Sequence, residues 1–159
     1  MQILHILIFA LAACILGCKP VENHEKDTIL IETFRDKRAI FDELLGMIQS
    51  DHGLERVADN WTQPNPASIT AKRLSKYRQL LKSIGCVRGF EHFDGKPGII
   101  FIASSVGTMS GSLKGYYFCD ITPNPLVNNL DYYRPVQNRG YVAYRRIEGN
   151  WYLIFESDN

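Results

Sequence analysis

Net charge is what this sequence most lacks: 18 Lys and Arg stand against 17 Asp and Glu, a formal +1 over 159 residues. A nucleic-acid-binding chain needs a basic surplus to neutralise phosphates, so that class is set aside. Histidine is scarce too. Past residue 17 only His24, His52 and His92 remain, each isolated, and no Cys-x-x-Cys or His-x-x-x-His spacing is present to hold a metal. Nucleotide-binding loops are missing as well, because Gly107, Gly111 and Gly115 lack the Gly-Lys-Ser/Thr ending of a phosphate cradle and Gly115-Tyr116-Tyr117-Phe118 reads as strand. Ser104, Ser105, Ser110 and Ser112 could be combined with His92 and Asp94, yet no nucleophile-elbow pattern frames them. Glu91, Asp94 and Glu156 are the carboxylates that glycan hydrolysis would draw on, and sequence does not set their separation. The expected mode of action is therefore binding, without catalysis, cofactor or metal.

A second absence is local: no Lys, Arg, Asp or Glu precedes Lys19. Residues 3–16 are apolar except for His5, which is the length of an export-signal core and short of the roughly 20 residues that cross a bilayer. The run ends in Ile15-Leu16-Gly17-Cys18, which resembles the lipobox of bacterial lipoprotein precursors. The resemblance covers this segment alone. It implies that residues 1–17 are removed as a signal peptide and that Cys18 is acylated, its thiol being nucleophilic enough to take the lipid and Gly17 leaving the peptidase room. Two or three chains, at about 0.8 kcal/mol per buried methylene, would tether the protein firmly to the membrane. Lys19 stands where enteric lipoproteins retained in the inner membrane carry Asp, so the implied place is the outer membrane, facing the periplasm.

After Cys18 the chain is polar, and residues 18–32 are expected to be the lipidated cysteine and its tether, with one domain over residues 33–159. Phe34, Ile40, Phe41, Leu44, Leu45, Met47 and Ile48 recur at three-and-four spacing and predict a helix over 33–50. A second helix is predicted over 68–84, capped by Ser68 and stopped by Gly85. Its Lys72, Arg73, Lys76, Arg78 and Lys82 form a basic face, either solvated or turned to a membrane surface. Beyond Gly85 the period becomes two, giving strands over 87–93, 99–104, 113–119, 141–147 and 151–156; the last two form a hairpin and the 99–104 strand, apolar on both faces, is central. Helices followed by strands predict an α+β fold, two N-terminal helices packed on an antiparallel sheet of four or five strands.

Two features remain. Residues 120–139 hold Pro123, Pro125 and Pro135 with Tyr132, Tyr133 and Arg134 among them, and so long a connection is normally used. Tyr and Arg dominate interface energetics, which makes Tyr132, Tyr133 and Arg134, with Trp61, the candidate partner-binding surface, unless Leu126, Leu130 and the tyrosines cover one end of the sheet. Cys86 and Cys119 would be the only free thiols in an oxidising compartment, which points to a disulfide. Against it, a simple meander places them at opposite ends of the sheet. The functional expectation is a membrane-anchored periplasmic lipoprotein that binds a protein partner, as an envelope accessory factor or an immunity-type inhibitor. The alternative is a small periplasmic enzyme or ligand carrier with a pocket between helices and sheet.

Overall fold

Leu30, Phe34, Phe41, Leu44 and Ile48 follow one another at helical intervals, and all five are buried. They belong to two helices in the computed structural model, which describes residues 24–63, 69–92, 97–107, 111–135 and 140–158. Helix α1 (Asp27–Asp36) and helix α2 (Arg38–Ser50) meet at Lys37, whose φ of −116° and ψ of 22° leave the helical region. No proline or glycine marks this break, so the expected single helix over 33–50 becomes two. The tether is shorter than expected for the same reason: residues 27–32 are helical, and Asp27 and Leu30 are buried. Helix α3 (Ala71–Ser83) is capped by Thr70, whose hydroxyl accepts the Arg73 N–H at 3.2 Å. The expected cap, Ser68, lies outside the described residues, as do the signal segment and Cys18. Gly85, at φ 79°, closes the other end of α3: its N–H donates to Lys82 O at 3.1 Å and that of Cys86 to Leu81 O at 2.9 Å.

The fold is α+β, with three helices and seven strands among the described residues. The strands are β1 (Arg56–Val57), β2 (Thr62–Gln63), β3 (Phe90–Glu91), β4 (Ile99–Val106), β5 (Ser112–Phe118), β6 (Tyr141–Glu148) and β7 (Trp151–Ser157), and every neighbouring pair in the order β2-β1-β3-β4-β5-β7-β6 is antiparallel. The sheet exceeds the expected four or five strands because a two-residue hairpin, β1–β2, occupies the turn-rich stretch after α2. The expected strand over 87–93 shrinks to Phe90–Glu91, since Gly89, at φ 95°, crosses so close to Val57 that a Cβ there would lie 1.8 Å from its carbonyl oxygen. β4 is central, as its two apolar faces predict.

Each sheet face carries a buried cluster. Toward the helices, Phe34, Phe41, Phe101, Tyr116 and Trp151 interlock, with Phe41 4.6 Å from Tyr116 and 5.4 Å from Trp151 between ring centroids. On the opposite face Tyr117, Tyr152 and Ile154 of the strands and Cys119 just past β5 form a second cluster to which no helix residue among those described contributes. The expected disulfide is not formed. Cys86 is packed in the helix-side cluster and Cys119 in the other, so the sheet separates two free, buried thiols. No helix among the described residues is long and apolar enough to cross a membrane.

The helix-side core is locked at one end by charge. Asp27 is fully buried: its Oδ1 meets the Lys114 ammonium at 2.8 Å, and its Oδ2 accepts from Arg145 Nη1 at 2.9 Å and from the Leu130 N–H at 2.8 Å. Lys114, 2% exposed, also donates to Asp131, whose carboxylate accepts the Asp27 N–H. Two anions and two cations balance. Burial alone would raise the Asp27 pKa, but hydrogen bonds from Lys114, Leu130 and Arg145 and the charge of Lys114 outweigh it and hold the carboxyl below its ordinary 3.8. Asp27→Asn leaves the cations short of one partner and should cost about 3–5 kcal/mol at neutral pH. Because folding lowers this pKa, the wild-type contribution is complete above 3.8 and fades as pH falls through the lower folded value. Urea denaturation carried from neutral pH into acid should show the wild type losing stability in that window and Asp27→Asn following a flatter course.

Candidate functional site: a tyrosine groove on the strand-only face

The expected partner surface divides. Tyr132 is 83% exposed and Arg134 is exposed, whereas Tyr133 is half-buried with its ring 5.8 Å from that of Tyr141. The loop carrying them is pinned: Leu126 pairs with Tyr144 along the β6 edge, Leu130 is 1% exposed in the core, and Asp131 joins the buried charge cluster. Trp61 lies elsewhere. It flanks β2, the edge opposite β6, roughly 29 Å away at six strand spacings. Trp61 stacks instead on Arg56, at 4.8 Å, and Arg56 forms an ion pair of 2.9 Å with Glu91.

Glu91 leads to the site that sequence reasoning missed. On the strand-only face, Ile100 of β4, Tyr117 of β5, Ile154 of β7, and Val142 and Tyr144 of β6 line a cavity of about 270 Å³, with Glu91, Glu156, Pro97 and Gly98 at its margin. The Tyr117 and Tyr144 rings are 5.2 Å apart at 36°. Gly98 positions them. At φ 91° it takes a backbone conformation that other residues resist, and a Cβ there would stand 2.5 Å from the Tyr117 ring and 2.6 Å from Phe118 O. Tyr117 can therefore lie over the turn and donate its hydroxyl to Pro97 O. Burial, then the neighbouring Cys119, pushes the Tyr117 pKa upward; burial, then the charge of Glu156, does the same for Tyr144. Both phenols stay protonated, so the groove offers apolar walls with hydroxyl groups and carboxylates at the rim. The signal was in the run Gly115-Tyr116-Tyr117-Phe118-Cys119, apolar at consecutive positions, which is the mark of a strand covered on both faces.

The other expected groups are dispersed. His24, not His92, meets the serines: its Nδ1 lies 2.6 Å from Ser104 Oγ and its Nε2 2.8 Å from Ser112 Oγ. Asp94 and Ser110 lie outside the described residues. Arg73 binds Asp51, Lys76 pairs with Glu43 and Arg78 donates to Ala58 O, so three cations of the α3 face are engaged by other elements. Asp51, accepting from Arg73 and Tyr77, has its pKa lowered against the pull of burial. No group of three or more His, Cys, Asp or Glu side chains among the described residues is placed to hold a metal ion. Comparison with family models, curated proteins and solved structures finds no match to the chain, and the geometry carries the functional reading.

The loop separates into anchoring and exposed side chains, and substitution should tell them apart. Leu130→Ala should cost about 2–5 kcal/mol by opening a cavity, while Tyr132→Ala should stay within about 0.5 kcal/mol of wild type, both read from denaturant midpoints.

Proposed function

We propose that this chain is a bacterial envelope lipoprotein, cleaved after Gly17, acylated at Cys18 and held on the periplasmic side of the outer membrane, that works by binding a protein partner in the tyrosine groove. The carrying observation is the groove itself: an apolar floor from four strands, two tyrosine rings packed 5.2 Å apart, and the carboxylates of Glu91 and Glu156 at separate points of its lining. Its volume, about 270 Å³, is below the roughly 300–1,000 Å³ of small-molecule sites and suits one or two inserted side chains. The apolar walls favour an inserted segment whose entering side chains are apolar or aromatic. A carrier's pocket between α1, α2 and the sheet would need space that Phe34, Phe41, Phe101, Tyr116 and Trp151 fill, and the cavity of about 250 Å³ between α3 and the turn after β1 is likewise below the small-molecule range. An envelope accessory factor or an immunity-type inhibitor fits this binding mode.

Metabolic labelling with a palmitate analogue should mark the wild type and not Cys18→Ala; equal labelling removes the lipoprotein reading. Partner capture from envelope extracts should fall about tenfold or more in Tyr144→Ala, the loss typical of an interface hot spot, and persist in Tyr132→Ala. The reverse pattern would place recognition on the loop and not in the groove.

A further inference from the structure

The place of the first described residue sets the end of the domain from which the preceding chain departs. His24 is held between Ser104 of β4 and Ser112 of β5, with its ring 5.4 Å from that of Phe155. Ser112 begins β5 and pairs with Ser157 at the end of β7, which pairs in turn with Tyr141 at the start of β6. His24 thus marks one end of the sheet. Tyr132 and Arg134 belong to the same end, because Tyr133 between them packs on Tyr141 and accepts its hydroxyl through the backbone oxygen. Six residue steps separate Cys18 from His24, and a chain so short reaches at most about 22 Å. The opposite end, where Asn150 Nδ2 donates to Asp120 Oδ1 beside the exposed Ile121, is farther away by the length of β7, about 23 Å for seven residues.

We propose that the sheet end carrying His24, Tyr132 and Arg134 rests on the phospholipid headgroups of the membrane that holds the Cys18 lipid, which rests on the lipoprotein reading above. The chemistry of the exposed groups matches that layer. A tyrosine ring is apolar along its body and polar at its tip, as side chains at the headgroup level are, and a guanidinium pairs with phosphate oxygens. Lys26 is exposed at the same end, while Glu25 and Asp158 offset its charge and that of Arg134. Among the described residues the charges there are close to balanced, and the patch orients the domain while the lipid supplies the attachment. Partner binding at the groove, on the strand-only face, is left free of the membrane.

The test uses the full acylated chain in phospholipid vesicles containing a headgroup-nitroxide lipid, with a fluorescent maleimide at Tyr132→Cys or at Ile121→Cys. Both side chains are exposed, at 83% and 67%, and Cys86 and Cys119 are buried, so the label reports one position and the fold is retained. Palmitate-analogue labelling of the same preparations confirms the anchor. In acylated protein the Tyr132 probe should be quenched several-fold more than the Ile121 probe, and Arg134→Glu should narrow that difference. Equal quenching, or stronger quenching at Ile121, overturns the orientation while leaving the anchor intact and returns Tyr132 to the role of a protein contact. Absence of acylation overturns the anchor, and the orientation with it.

Discussion

Burial of the Asp27 carboxylate is the constraint on which the rest of this structure depends. A charge that is 0% exposed is tolerated only when paired and hydrogen-bonded, and the cluster around it is drawn from three segments far from Asp27 in the chain: Leu130 and Asp131 in the long loop, Lys114 in β5 and Arg145 in β6. Asp131 also does for α1 what Lys26, which makes no side-chain cap, does not: its carboxylate receives the first helical N–H. One cluster therefore starts the first helix, ties it to the middle of the sheet, and holds the connection between β5 and β6 against the core. With α1 pinned there, its axis carries Leu30, whose carbonyl accepts from Tyr116, and then Phe34 onto Trp151.

That arrangement also determines which face is available for binding. The helices spend their apolar residues on one side of the sheet, and the alternation of β5, with Tyr116 on that side and Tyr117 on the other, gives the second face an aromatic character of its own. Gly98 allows Tyr117 to fold over the turn before β4, while Trp61, Arg56 and Glu91 form a stack and ion pair at the far rim. The long loop serves the fold through the backbone pairing of Leu126 and through Leu130 and Asp131, and it leaves Ile121, Tyr132 and Arg134 among the side chains exposed to solvent.

Local pattern made the α+β class, the last hairpin, the central place of the 99–104 strand and the Gly85 stop legible in the sequence, because each rests on periodicity or on a glycine at positive φ. The break at Lys37 was not legible, since Arg35-Asp36-Lys37-Arg38 holds no residue that ends a helix. Neither was the start of α1, because its cap comes from Asp131, 104 positions on. β1, β2 and β3 are two residues each, too short for any period to show. Of the candidate surface, the exposure of Tyr132, Arg134 and Trp61 followed from residue type. The separation of Trp61 from the other two followed from strand order, and the groove from side chains that only pairing across four strands brings together.

The central place of the buried charges is tested most directly by a double-mutant cycle on Asp27 and Lys114. Asp27→Asn and Lys114→Met each strand a charge, whereas the double variant leaves Asp131 and Arg145 as a balanced pair, so its stability should be well above the sum of the single losses. A coupling of about 2 kcal/mol or more, from urea unfolding at neutral pH, is the result that burial and pairing require. Additivity within about 0.5 kcal/mol would mean that the two side chains act independently and that the fold does not depend on their contact.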